Sequence, residues 1–263
     1  MTTVAAGYQP DLLPTVDNVD AFLKALAATG TREELADLMA AVTRDFGFRH
    51  YALIHHSDLR GRPAGHVDIK DYPAAVSERI VDQGTWRRDP VIRGCLFAEH
   101  AFLWSDLPRI IEIDRRDREA LQLGIREGLN EGITVPYTVL GETTGSCTFA
   151  GIRDPGRAER LLGVAQIAGI FAFQAAKRIS GEMPRIHSPP RLHPRPRECI
   201  VLAGRGKSNK EIARSLALAP RTVDGYLSEA RRLFDAHDRT ELVIAAILAG
   251  EVGLDEVRRR QPG

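Results

Sequence analysis

Cysteine is scarce. Cys95, Cys147 and Cys199 are odd in number, far apart and in no CxxC spacing, which excludes a disulfide-stapled scaffold. No run approaches 18 apolar residues, so no membrane-spanning helix is expected. The first thirty residues hold no basic start followed by an apolar core, so no signal peptide is expected. HxH, HExxH and GxxxxGK[ST] are all missing, which leaves zinc-assisted hydrolysis and phosphate-loop chemistry without support. No metal or cofactor is expected. Internal repeats and low-complexity tracts are also absent. What remains is ordinary globular material: 263 residues, 43% hydrophobic and 27% charged, enough for one or two domains. A cytoplasmic, reducing-compartment protein is expected.

The net charge of +1 conceals an asymmetry. Residues 1–180 hold 21 Lys+Arg and 24 Asp+Glu, and residues 181–263 hold 15 and 11. A basic second half suits an anionic partner, although a solvated surface explains so small an excess equally well. The division follows a proline-rich stretch. Pro184, Pro189 and Pro190 forbid a continuous helix. The expected organisation is a domain over 1–180, a linker over 181–191 and a second domain over 192–263, with a frayed tail from Arg258.

The first domain mixes periods. Thr31-Arg-Glu-Glu34 is a capping box opening an amphipathic helix through Leu35, Leu38, Met39 and Val42, stopped at Gly47. Strands are read at Tyr51–Ile54 and His66–Ile69, separated by a turn at Gly61–Gly65. Helices are read over 73–83, stopped by Gly84, and over about 115–128, where Arg115-Arg-Asp-Arg118 is a solvated helix start. Ile133–Val139 and Gly145–Ile152 form a hairpin. A long helix near 156–180 has Leu161, Ala165, Ala168, Phe171, Ala172 and Ala175 as its apolar positions. Clustered strands of this kind suit an antiparallel α+β arrangement.

The second domain reads as nearly all helix. Ser208-Asn-Lys-Glu211 opens one helix, Ala217–Ala219 is a break, and Pro220 sits at the first position of the next. Asp238-Arg-Thr-Glu241 resembles another capping box, with Gly250 as a stop. Helix, three-residue break and helix are the layout of a helix-turn-helix. Its outward face would carry Asp224, Ser228 and Arg231 at i, i+4, i+7, flanked by Arg221, Gly225 and Arg232. Asn209, Lys210, Arg221 and Thr222 stand near helix N-termini, where phosphates are met. Asp224 is repelled by phosphate, but its carboxylate suits a cytosine amino group.

Gly206-Lys-Ser-Asn-Lys-Glu-Ile-Ala-Arg-Ser-Leu-Ala-Leu-Ala-Pro-Arg-Thr-Val223 resembles the LuxR-type helix-turn-helix, over residues 192–253. Upstream, Tyr72, Asp89-Pro90, Trp104 and Gly132-Ile-Thr-Val-Pro136 resemble the autoinducer-binding domain of quorum-sensing LuxR regulators, over residues 20–178. The resemblance implies an N-terminal α/β/α sandwich on an antiparallel sheet and a C-terminal all-α four-helix domain. It also implies a homodimer paired through Leu242–Leu248 and the long helix near 156–180, bound to double-stranded DNA at an inverted repeat. The signal would be an acyl-homoserine lactone or a related small molecule, contacted by Tyr72, Val76, Ile80, Asp89, Trp104 and Thr148. Asp89 would accept the ligand's amide N–H, Trp104 would line the lactone end, and Thr148 would meet an acyl carbonyl. DNA would be met by Asn209, Lys210, Arg221, Thr222, Asp224, Ser228, Arg231 and Arg232.

Two departures stand out. Val76 and Ile80 occupy positions where the family has a Trp and a Tyr, and neither donates a hydrogen bond. Trp86 or Arg87 is a candidate substitute donor. Positions 224, 225 and 228 also differ from the larger or basic residues usual there, and Pro196 and Ala219 replace a usual Glu and Ser. Three readings therefore stay open: a ligand-responsive regulator, a regulator working without ligand or with a different small molecule, and an enzyme. The last lacks a visible nucleophile–base pair. His55-His56 invites a metal, but neighbours on a strand point to opposite faces. Asp89-Pro90 is also a common turn starter, and Cys147 reads as core.

Overall fold

A computed structural model describes residues 16–57, 65–81, 85–152, 154–181 and 190–258. Residues 61–64 of the expected turn, 82–84 with the stop at Gly84, 182–189 of the linker and 259–263 of the tail lie outside these. The chain divides into two compact units, Met1–Met183 and Pro184–Gly263.

The first unit is built on one antiparallel five-stranded sheet in the order β2-β1-β5-β4-β3. Its strands are β1 (His50–His55), β2 (Asp68–Asp71), β3 (Phe102–Leu103), β4 (Gly132–Tyr137) and β5 (Gly145–Ala150). One face is covered by α1 (Val16–Ala28), α2 (Arg32–Asp45) and α7 (Pro155–Ile179). Against the other lie α3 (Ala74–Val81), α4 (Pro90–Gly94) and α6 (Arg115–Arg126), with α5 (Leu107–Ile110) packed on α4. This is the α/β/α sandwich expected.

Strand alternation sorts the side chains. Tyr51, Leu53, Cys147, Phe149, Ile133 and Val135 turn to α2 and α7 and join the main core with Leu35, Met39, Leu161 and Phe173. Ala52, Ile54, Ser146 and Thr148 turn the other way. On the core side α7 approaches the sheet closely because it is small there. A Cβ on Gly169 would come within 2.7 Å of Val135 Cγ2, so β4 and α7 are in contact at that point. The cap of α2 forms as read: Thr31 accepts from Glu34 N–H, and Glu34 accepts from Thr31 N–H.

Several expectations are corrected. α1 was not foreseen, and β2 begins two residues later than read. Phe171 is 44% exposed, because the alanine stripe of α7 already fills the buried face and position 171 falls outside it. The solvated helix start at 115–118 fails at one residue. Asp117 is only 3% exposed, since both its oxygens take Arg93 Nη1 at 2.9 Å. It also accepts from Asp114 N–H at 3.0 Å, closing the capping box of α6.

The second unit holds α8 (Pro194–Gly204), α9 (Asn209–Leu216), α10 (Pro220–Leu233) and α11 (Arg239–Leu248) around Ile200, Ile212, Val223, Leu227, Leu242 and Ala246. A one-turn α12 (Leu254–Val257) follows the four expected helices. Ser208 and Glu211 form the capping box that opens α9. Ala217 takes φ 54 in the break, the left-handed turn that lets α10 leave at a new angle. Asp238 caps α11, but Glu241 accepts from His237 N–H rather than from Asp238, so that box is displaced by one residue.

Candidate functional site

Because one sheet face is spent on the core, the other is open for a cavity. A space of about 570 Å³, counting its mouth, lies between that face and α3, α4 and α6. Tyr72, Val76, Asp89, Trp104 and Thr148 all line it, although they are spread over 77 residues of sequence. Ile80 is in α3, but its side chain lies outside the described residues. The sequence did not point to Ala52, Ile54 and Ser146 on the strands, nor to Ala120, Leu121 and Gly124 on α6. Only their even spacing on paired strands, or their helical spacing, carried a signal.

The polar groups in the cavity are linked. Trp104 Nε1–H donates to Thr134 Oγ1 at 2.9 Å, and Thr134 Oγ1 lies 3.0 Å from Thr148 Oγ1. Thr148 in turn bonds the Tyr72 phenol, whose pKa is raised, first by burial and then by the charge of Asp89. The Trp104 indole N–H is therefore engaged, and it is the ring that meets the cavity. Gly132 lies under this ring. A Cβ there would come within 2.7 Å of Trp104 Cε2, so the glycine is a close-packing position.

Asp89 has two tasks in one place. Its Oδ1 accepts from Val91 N–H at 3.0 Å and Ile92 N–H at 3.1 Å, capping α4, while the side chain lines the cavity. The turn reading and the cavity reading both describe it. Val76 is buried against Leu129 and Ala150, with Tyr72 and Trp104 beside them. The suggested substitute donors stand elsewhere: Arg87 lies 4.7 Å over the Trp86 ring, and neither lines the cavity.

His55 and His56 are both buried and point to opposite sides. Val67 N–H donates to His55 Nδ1 at 3.1 Å, and the ring packs edge-on against Phe173. His56 Nε2 is 2.9 Å from Ser146 Oγ. Burial pushes both histidines down to about 4. Among the described residues no cluster of three or more His, Cys, Asp or Glu is placed to hold a metal. Cys147 is fully buried, and burial raises its thiol.

In the second unit Lys210, Arg221, Thr222, Asp224 and Arg232 are exposed, and Arg231 donates to Ser228 Oγ at 3.1 Å. Asp224 is tied into a relay that the sequence did not reveal. Arg239 donates to Asn209 Oδ1 at 2.8 Å, and Asn209 Nδ2 donates to Asp224 Oδ1 at 3.2 Å. Arg239 also bonds the Lys207 carbonyl. The second turn of α10 is thus linked through side chains to the start of α11.

Residues 31–178 match the autoinducer binding domain family, and residues 191–246 match the bacterial regulatory proteins of the luxR family. The HTH-type quorum sensing-dependent transcriptional regulator RpaR of Rhodopseudomonas palustris is 31% identical over 211 residues, covering 79% of this chain and 84% of that one. The transcriptional activator protein BjaR1 of Bradyrhizobium diazoefficiens is 27% identical over 224 residues, covering 83% and 90%. A crystal structure of Escherichia coli SdiA shares the fold at 18% identity, with a TM-score of 0.53 over 88% of this chain and 96% of that one. Among the described residues no helix is long and apolar enough to cross a membrane.

Proposed function

Since this chain belongs to the luxR family of regulators, as a transcription regulator with an autoinducer-binding domain and a DNA-binding helix-turn-helix, we propose that its signal is an acyl-homoserine lactone or a close relative held in the cavity of the first unit. The observation that carries this reading is the convergence of Tyr72, Val76, Asp89, Trp104 and Thr148 on one cavity. Asp89 accepts the ligand's amide N–H, Trp104 covers the lactone end with its ring, Thr148 meets the acyl carbonyl, and Tyr72 and Val76 close the wall. Ligand fills the space beside the sheet, stabilises the folded state by mass action and raises DNA occupancy.

The protein works in the cytoplasm as a homodimer on an inverted repeat. Ile167 and Phe171 on α7 and Ile244 and Leu248 on α11 are exposed apolar side chains that suit pairing faces. Asn209, Lys210, Arg221, Thr222, Asp224, Ser228, Arg231 and Arg232 are the DNA-facing set. A second reading, a different small molecule or none, is favoured by Val76, which gives a lactone carbonyl no donor. Mass spectrometry of small molecules released from protein made in its native host and in a lactone-free host separates the two readings. A lactone recovered only from the native preparation supports the first.

Asp89 is tested by two substitutions, with melting measured with and without N-octanoyl-homoserine lactone. Asp89→Ala loses the α4 cap, costing about 0.5–2 kcal/mol of basal stability, and also loses the ligand-dependent rise. Asp89→Asn keeps a capping oxygen but not the charge, so basal stability holds while lactone affinity falls by roughly tenfold. An Asp89→Asn protein that responds like the parent removes the carboxylate from the ligand site.

A further inference from the structure

Ser146 and His56 form a buried pair 90 residues apart in sequence, and nothing above gives it a task. Ser146 is 2% exposed and His56 7% exposed. Ser146 shares the cavity face of β5 with Thr148, about 7 Å further along the strand. Its partner on β1 is Ile54, also at the cavity. A hydroxyl and an imidazole in this wall cost desolvation that two apolar side chains would avoid. The pair is also incompletely satisfied, since His56 Nδ1 has no hydrogen-bond partner.

That vacancy fixes the direction of the bond. His56 is neutral, so one ring nitrogen carries the hydrogen. If Nδ1 carried it, a buried N–H would be left without an acceptor, which native structures rarely tolerate. With the hydrogen on Nε2, the unpartnered atom is a lone pair. His56 Nε2–H then donates to Ser146 Oγ. The histidine is not the serine's base, and the Ser146 O–H is left to donate. Beside it is the Cys95 thiol, a weak acceptor that a ligand oxygen displaces easily.

We propose that Ser146, oriented by His56, is a hydrogen-bond donor inside the cavity that recognises an oxygen on the ligand's acyl chain, so that the signal carries an oxygenated rather than a plain alkyl chain. This rests on the lactone reading above. His56 is the positioning residue, holding the hydroxyl oxygen so that its hydrogen points away from the imidazole.

The probes are N-octanoyl-homoserine lactone and analogues carrying one hydroxyl at successive chain carbons, titrated calorimetrically into the full-length protein. One hydroxyl position should bind about five- to tenfold tighter than the unsubstituted chain. Ser146→Ala should erase that gain, so that the hydroxylated and unsubstituted chains bind it alike. Nitrogen-15 shifts of the His56 ring, assigned against His56→Asn, should show Nε2 protonated and Nδ1 bare. If the lactones bind but no hydroxyl helps, or if Ser146→Ala weakens all of them alike, the inference is overturned and the lactone reading stands. A protonated Nδ1 overturns it as well. If none of the lactones binds, the lactone reading has failed and the inference with it.

Discussion

Acidification from neutral pH to about 4 destabilises the first unit by several kcal/mol, well before the second unit loses its helix caps. His55 and His56 ionise near 6.5 when unfolded, but burial holds them at about 4 in the fold. Between those values the unfolded chain takes protons that the folded chain refuses. Stability is therefore complete above about 6.5 and falls as pH drops through the window. At about 1.4 kcal/mol per unit, His56 alone withdraws on the order of 3 kcal/mol. His55 adds less. Burial is its main cause, His66 and Lys177 act in the same direction, and Glu142 opposes them.

In the second unit Glu211 and Asp238 are held below the usual carboxylate range, first by bonds from backbone N–H groups at their helix starts. Those caps fail only at lower pH. The chain has two tryptophans, Trp86 and Trp104, both in the first unit. Denaturant melts followed by tryptophan fluorescence at a series of pH values should show midpoints sliding down from about 6.5. His56→Asn should flatten its share of the slope. A midpoint constant down to about pH 5 would falsify the assignment.

Asp117→Ala is expected to cost about 3–5 kcal/mol, toward the lower end because Arg93 keeps 31% side-chain exposure. One carboxylate holds three things: the Arg93 guanidinium from the last turn of α4, the Asp114 N–H at the start of α6, and, through Arg93 Nη2, the Glu112 carbonyl. Both helices line the cavity, so the loss should also weaken ligand binding, although Asp117 is not among the lining residues. Urea melts of Asp117→Ala, Arg93→Met and the double variant measure this. The double variant should be less destabilised than the sum, because Arg93 is then no longer left without its partner. Strict additivity would mean that the pair does not act as a unit.

What could be read from the sequence was what is encoded locally. Thr31 with Glu34 and Ser208 with Glu211 announce helix starts within four residues, and both capping boxes formed. The helix-turn-helix was legible because Pro220, the break before it and the apolar spacing of Ile212, Val223 and Leu227 lie within one short stretch. The cavity was legible only in part. Asp89-Pro90 and Trp104 are uncommon residues at a recognisable spacing, whereas Ala52, Ile54 and Ser146 are ordinary residues given meaning by pairing across β1 and β5. Asp117 was misread because an acidic residue in a helix start is solvated by default. Only its partner 24 positions earlier made it a buried anchor. The Arg239–Asn209–Asp224 relay spans α9, α10 and α11, beyond the reach of any local pattern.

The pleat of β5 has a consequence for how this protein can change over generations. Cys147 and Phe149 face the main core, and Ser146 and Thr148 face the cavity. Along one strand, mutations at neighbouring codons thus fall under separate kinds of selection. Odd positions are constrained by folding and even positions, under the proposed function, by the molecule being sensed. A lineage can drift toward a new signal by altering every second residue while the scaffold between them is inherited unchanged. A saturation scan of the strand would record that as a phenotype alternating with period two.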